Sequence, residues 1–113
     1  MYIVFDGDEI GKQLEKLIFS DCLEQAASYS ALIAMELQQI REHLIASGCE
    51  VVFCGGDSIL VKASSDFIVS PELLSKNGIT WSVGVGEKPS DAALALKKAK
   101  ALGRNRVEIF GVE

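Results

Sequence analysis

Residues 49–62, CEVVFCGGDSILVK, decide the fold. Two runs of strand-forming residues, CEVVFC at 49–54 and SILVK at 58–62, are separated only by Gly55-Gly56-Asp57, the composition of a tight turn. The stretch reads as an antiparallel hairpin with an acid at its tip. At the start of the chain, MYIVF at 1–5 is a continuous apolar run that ends abruptly at Asp6-Gly7-Asp8. Such a run suits a central strand buried on both faces. With that strand beside the hairpin, Asp6 and Asp57 are expected to meet at one edge of the sheet.

Helical signals fill the remainder. Ile10, Leu14, Leu17 and Ile18 recur at helical spacing over 10–19, and Ser20 or Asp21 can cap the next helix. From 21 to 47, Leu23, Ala26, Ser30, Ile33, Leu37, Ile40 and Leu44 step by three and four residues. A helix of that span is roughly 40 Å long and crosses a whole sheet, with Gly48 as its stop. Ser70-Pro71 starts a short helix through Leu74 that Asn77-Gly78 ends. ITWSVGV at 79–85 alternates Ile79, Trp81, Val83 and Val85 against Thr80, Ser82 and Gly84, giving a strand with one face on the core. A helix is expected over 91–102, stopped by Gly103, and a last strand over 106–110. The order βααββαβαβ suggests an α+β fold, with helices on one face of a mixed sheet and the other face partly free; a ferredoxin-like core satisfies it. No repeat or linker is visible, so residues 1–113 read as one domain.

Composition narrows the chemistry. Three cysteines, Cys22, Cys49 and Cys54, are odd in number and lack a C-x-x-C spacing, so they read as buried small apolar residues rather than as disulfides or zinc ligands. A lone His43 supplies no histidine cluster, and any catalytic metal is expected to be a hard cation on carboxylates, Mg2+ or Mn2+. The absence of a membrane-length apolar run or a signal-like start leads to the expectation of a cytoplasmic protein without membrane partners. A net charge of −5 argues against general nucleic-acid binding. Lys97, Lys98, Lys100, Arg104 and Arg106 nonetheless crowd into ten residues, which fits a local anion site.

Each candidate site residue has two readings. An acid after a strand, such as Asp6 or Asp8, is a metal ligand or a turn former, and Gly-Gly-Asp is a phosphate-approach loop or a plain hairpin. Lys97, Lys100 and Arg104 fall on one helical face and suit a triphosphate, or they solvate a helix end and complement its dipole. Gly7, Gly55 and Gly56 are turn residues, or places where phosphates approach the backbone. The metal reading is the requirement of phosphoryl transfer: hard oxygen ligands from adjacent strands that leave positions open for substrate phosphates.

Three motifs in order carry a resemblance: DGDEIGKQLE at 6–15, CGGDSILV at 54–61 and SVGVGEKPSDAALALKKAKALGRNRV at 82–107. With them the chain resembles GGDEF-type nucleotidyl cyclases, the palm domains of type III CRISPR polymerases and, as a small protein, the minimal CRISPR polymerase (mCpol) family, which is associated with antiviral signalling. The resemblance implies a palm fold and two metal ions per site. It carries Asp6 and Asp57 onto the metal-binding acids, the Gly7 carbonyl onto the ligand that joins them, and Asp8 onto the second acid of the first motif, which either serves catalysis or caps the next helix. Gly55 and Gly56 match the turn beneath the triphosphate, and Lys100 and Arg104 the residues that hold its phosphates. Ser58 stands where the related patterns have a second acid. Leu14 stands at the guanine-reading Asn of GGDEF cyclases, so the base pocket is expected to prefer adenine and the substrate to be ATP. The implied activity is synthesis of a cyclic di- or oligoadenylate with release of pyrophosphate, by a homodimer, for a separate effector. The alternatives are a palm that binds nucleotide only as a sensor, and a ferredoxin-like interaction domain.

Overall fold

A computed structural model describes residues 1–111. The elements are β1 (Tyr2–Gly7), α1 (Ile10–Phe19), α2 (Leu23–Ala46), β2 (Glu50–Gly55), β3 (Ser58–Lys62), a 3-10 turn at Pro71–Leu73, β4 (Ser75–Lys76), β5 (Ile79–Gly86), α3 (Pro89–Ala101) and β6 (Val107–Phe110). Among the described residues no helix is long and apolar enough to cross a membrane.

The sheet runs β2-β3-β1-β5-β4, with β6 lying parallel to β5. The expected hairpin is β2-β3: Gly55 pairs with Ser58, leaving Gly56 and Asp57 as the turn. Gly56 sits at φ 61, the left-handed conformation that a two-residue hairpin turn asks of glycine. β1 lies between β3 and β5, antiparallel to both, with Asp6 opposite Ser58 on one side and Ser82 on the other.

Register assigns the faces. Ile3 pairs with Val61 and Val85, and Phe5 with Ile59 and Val83, so all six point to one side. There they pack against Ile33, Leu37, Ile40 and Leu44, the apolar stripe of α2. The opposite side carries Val4, Ser82, Gly84 and Gly86 in the same register, and α3 lies on it. Ala92, Ala95 and Ala99 are fully buried there, and a Cβ on Gly84 would strike the α3 backbone at Ala92 and Leu96. Helices therefore cover both faces at the centre of the sheet, not one. Two glycines in the strand and three alanines in the helix bring the backbones close enough to exclude water without large side chains.

Two further expectations are corrected. The segment expected to be a helix over 70–74 is a single 3-10 turn, after which Ser75–Lys76 pairs with β5 across Asn77-Gly78, both at positive φ, as a two-residue hairpin requires. The cysteines are not uniformly buried: Cys49 is, Cys22 is half-buried, and Cys54 lies exposed on the edge strand β2 beside exposed Val52 and Phe53.

Candidate active site

The C-terminal end of β1 gathers the chemistry. Asp6 closes the strand toward the α3 side, and Ser58 of β3 holds it, with Oγ 3.0 Å from Asp6 Oδ1 and 3.2 Å from Phe5 O. Next in the chain, the Gly7 amide donates to the Asp57 carbonyl at 2.9 Å, which pins the hairpin tip to β1. A Cβ on Gly7 would lie 3.4 Å from that of Asp57. Burial raises the Asp57 carboxyl above the usual carboxylate range, and the Asp6 charge pushes it further the same way; its own amide and the Lys100 ammonium oppose this more weakly. Asp6 and Asp57 are thus within electrostatic reach of one another.

Asp8 is held differently. Its side chain is only 4% exposed and accepts from the Ser82 hydroxyl at 2.6 Å, the Thr80 hydroxyl at 2.7 Å and the Asn105 amide at 3.0 Å. Lys100 Nζ completes the set at 2.8 Å from Oδ1. Burial alone would raise this carboxyl, but the lysine, the two hydroxyls and the amide outweigh it and hold it below its ordinary value. Asp8 caps no helix: the residue before α1 is Glu9, at φ 56 and without a side-chain cap.

Of the three basic residues expected on one helical face, Lys97 and Lys100 lie on α3 and Arg104 does not. α3 ends at Ala101, and Gly103, Arg104 and Asn105 come next at φ 116, 65 and 49, turning the chain back toward Asp8. Arg104 is presented by that turn, with a guanidinium nitrogen 3.7 Å from Glu9 and its buried Nε without a partner among the described residues. Lys100, on the last turn of α3, reaches Asp6 Oδ2 at 3.1 Å and the Gly7 carbonyl at 3.1 Å as well as Asp8. Lys97 is exposed and stands apart from this group.

Clefts flank the acids. One of about 460 Å³ is lined by Ile10, Gly11 and Leu14 of α1, Ser30 and Ile33 of α2, and the Gly56-Asp57 turn. Another, of about 550 Å³, borders Asp8 with Lys12, Lys16 and Tyr29. The Tyr29 hydroxyl, which the sequence did not single out, is raised in pKa by burial and then by the Asp57 charge.

Among the described residues no three His, Cys, Asp or Glu side chains are grouped to hold a metal by themselves. The oxygens that could receive a cation are those of Asp6 and the Gly7 carbonyl, with the Asp57 carboxyl within electrostatic reach. Their fit to a hard cation is visible in what they already hold: the Lys100 ammonium is seated on Asp6 and the Gly7 carbonyl. Carboxylate and carbonyl oxygens with coordination left open for phosphate and water are the usual surroundings of Mg2+.

Comparison with known proteins places this frame. The family model described as the minimal CRISPR polymerase domain matches residues 2–110. The chain belongs to that family. Its mCpol fold is similar to the Csm1-Csm4 cassette solved in complex with cA4, with a TM-score of 0.64 and 22% identity over 94% of this chain. The chain spans 20% of that neighbour's length. It is also similar to the GGDEF domain of DgcB from Caulobacter crescentus, solved with c-di-GMP, at TM-score 0.64 and 19% identity over 96% of this chain and 73% of the other. The active GGEEF domain of a diguanylate cyclase from Vibrio cholerae gives 0.58 and 18%, covering 96% and 81%. No curated protein matches the chain. The mCpol chain therefore shares the fold of these domains.

On this palm Asp8 ties the turn after α3 to the sheet, and its removal tests that directly. Asp8→Ala should cost about 3 kcal/mol, because it strands the buried Ser82 hydroxyl, the half-buried Thr80 hydroxyl and part of the lysine charge; urea denaturation measures it. The carboxyl is depressed in the folded state, so its contribution is complete above the ordinary value and fades as pH falls through the folded one. The stability gap between the wild type and Asp8→Ala should therefore shrink below about pH 4.

Proposed function

We propose that this mCpol protein is a metal-dependent nucleotidyltransferase that converts ATP into a cyclic di- or oligoadenylate and pyrophosphate. Mg2+ or Mn2+, two per site, would be held by Asp6, Asp57 and the Gly7 carbonyl, and would neutralise the triphosphate and acidify the attacking ribose hydroxyl. The observation that supports the reading is the electrostatic coupling of Asp6 and Asp57 at the C-terminal end of β1, with Lys100 seated on Asp6 and, among the described residues, the Arg104 Nε unpartnered on the adjoining turn.

The residues divide the work. Arg104, with an unspent buried donor, and Lys100 supply positive charge and hydrogen bonds for phosphate oxygens. Gly55 and Gly56 put no side chain into the space at the hairpin, which is open among the described residues for 4 Å around where either Cβ would stand. The cleft beside Asp57 receives the base against Ile10, Leu14 and Ile33. Asp8 keeps Lys100 and the Arg104 turn in place. Ring closure needs a second nucleotide, brought by a facing protomer of a homodimer in a cytoplasmic antiviral pathway with a separate effector.

Ser58 favours a second reading, a nucleotide sensor, because it puts a hydroxyl on Asp6 where related patterns have an acid. One experiment separates the two. Purified protein incubated with ATP and Mn2+ should yield pyrophosphate and a cyclic adenylate by chromatography and mass analysis. Binding of ATP with neither product would establish the sensor.

The base preference is tested separately. Leu14 offers no hydrogen bond to a purine edge. Leu14→Asn should shift the ratio of kcat/KM for GTP over ATP upward by about tenfold or more, the worth of one well-placed paired contact. Competition between the two triphosphates measures it.

A further inference from the structure

Lys100 is engaged in a way that a simple phosphate-binding lysine is not. Its ammonium lies 2.8 Å from Asp8 Oδ1, 3.1 Å from Asp6 Oδ2, 3.1 Å from the Gly7 carbonyl and 3.4 Å from the Asp6 carbonyl. Two of these oxygens, Asp6 Oδ2 and Gly7 O, are the donors the proposed function gives to a divalent cation. A cation about 2.1 Å from those oxygens would stand where the ammonium now makes its hydrogen bonds. One charge must leave for the other to enter.

We infer that Lys100 is an internal counter-cation that exchanges places with the metal–nucleotide complex, an inference that rests on the proposed function. Without ligand it neutralises Asp6, satisfies the Gly7 carbonyl and offsets the repulsion between Asp6 and Asp57. A divalent cation arriving alone must displace an ammonium that then has Asp8 as its remaining partner, so it binds weakly. A triphosphate arriving alone must draw Lys100 away and leave two carboxylates facing each other. Arriving together, the cation takes the acids and the phosphates take the lysine, whose flexible four-carbon stem permits the swing. The consequence is an empty site kept closed to free metal ions, and metal and triphosphate binding that are mutually reinforcing.

The test is Mn2+ binding, read by electron paramagnetic resonance and calorimetry with no nucleotide present. Lys100→Met, which keeps the stem and removes the charge, should bind Mn2+ alone about tenfold more tightly than the wild type. Lys97→Met removes the same charge from the same helix outside the cluster and should leave Mn2+ affinity unchanged. Lys100→Gln guards against a packing artefact and should behave as Lys100→Met does, with thermal melts showing that each variant is folded. If Mn2+ binds equally to the wild type and both Lys100 variants, the inference is overturned while the proposed function stands; equal tightening by Lys97→Met overturns it as a bulk-charge effect. If Mn2+ binds to none of these proteins, even with a non-hydrolysable ATP analogue added, both the inference and the proposed function fail.

Discussion

Asp57→Asn is expected to abolish cyclic-nucleotide synthesis, lowering the rate by about three orders of magnitude or more, while raising the melting temperature of the metal-free protein. The loss stems from the charge: a carboxamide is a poor ligand for a hard cation, and the several kcal/mol of transition-state stabilisation such a cation supplies translate into roughly that factor. The gain in stability comes from the same residue. Burial and the neighbouring Asp6 raise the Asp57 carboxyl, so at neutral pH its ionised form is held at a cost to the fold that Asn avoids. That cost is present above the raised folded value and is relieved as pH falls through it toward the ordinary one, so the advantage of Asn should narrow on acidification. The hydrogen bond from the Gly7 amide uses the backbone carbonyl of residue 57 and survives the change. A variant that is inactive and destabilised would point to a structural role, and an active one would remove Asp57 from the site; melting curves beside product assays separate these outcomes.

The parts of the fold that are legible in the sequence are those where one strong period acts alone. Ile33, Leu37, Ile40 and Leu44 leave α2 no other face to bury, and the Gly-Gly-Asp turn makes β2 and β3 antiparallel neighbours. β5 is legible only by half. Its alternation correctly puts Ile79, Trp81, Val83 and Val85 on the core, but assigns Thr80, Ser82 and the glycines to solvent. In the structure Ser82 is fully buried because Asp8 draws it, and Gly84 and Gly86 are buried because α3 lies on them. The available signal is small residues alternating in a strand that precedes an alanine-rich helix. β4 leaves no trace, since two residues, Ser75 and Lys76, have no period and are held by the turn after them. The electrostatic coupling of Asp6 and Asp57 is readable because β1 and β3 are neighbours and both acids lie near the same end of the pair. The fixing of Asp8 by four partners is not, because those partners come from β5, α3 and the turn after it. Three- and four-residue steps put Arg104 on the face of Lys97 and Lys100 on paper. The helix stops at Gly103 as expected, and three successive residues at positive φ put the guanidinium on a turn instead.

The depth at which α3 settles on the sheet decides whether Lys100 reaches the acids, and Gly84 sets that depth. Gly84→Val is expected to destabilise the protein by about 4 kcal/mol or more, beyond the usual cost of overpacking a core with side chains that can shift. A Cβ at this position meets backbone atoms of Ala92 and Leu96, so no rotamer change relieves it and the whole helix must lift. Ala92, Ala95 and Ala99 would then lose their contact with the sheet. Gly11→Ala supplies the contrast, because nothing lies within 4 Å of a Cβ there and the residue is inside α1. That change should stabilise by up to about 1 kcal/mol through helix propensity. Urea denaturation of the two variants reads both effects. Gly84→Ala, the milder substitution, asks the functional question: where enough folded protein remains, raising α3 carries Lys100 and the turn bearing Arg104 away from where the phosphates would lie, so triphosphate binding should weaken more than the residual stability predicts. Full affinity in a folded Gly84→Ala protein would mean that Lys100 reaches the phosphates without the close strand–helix contact.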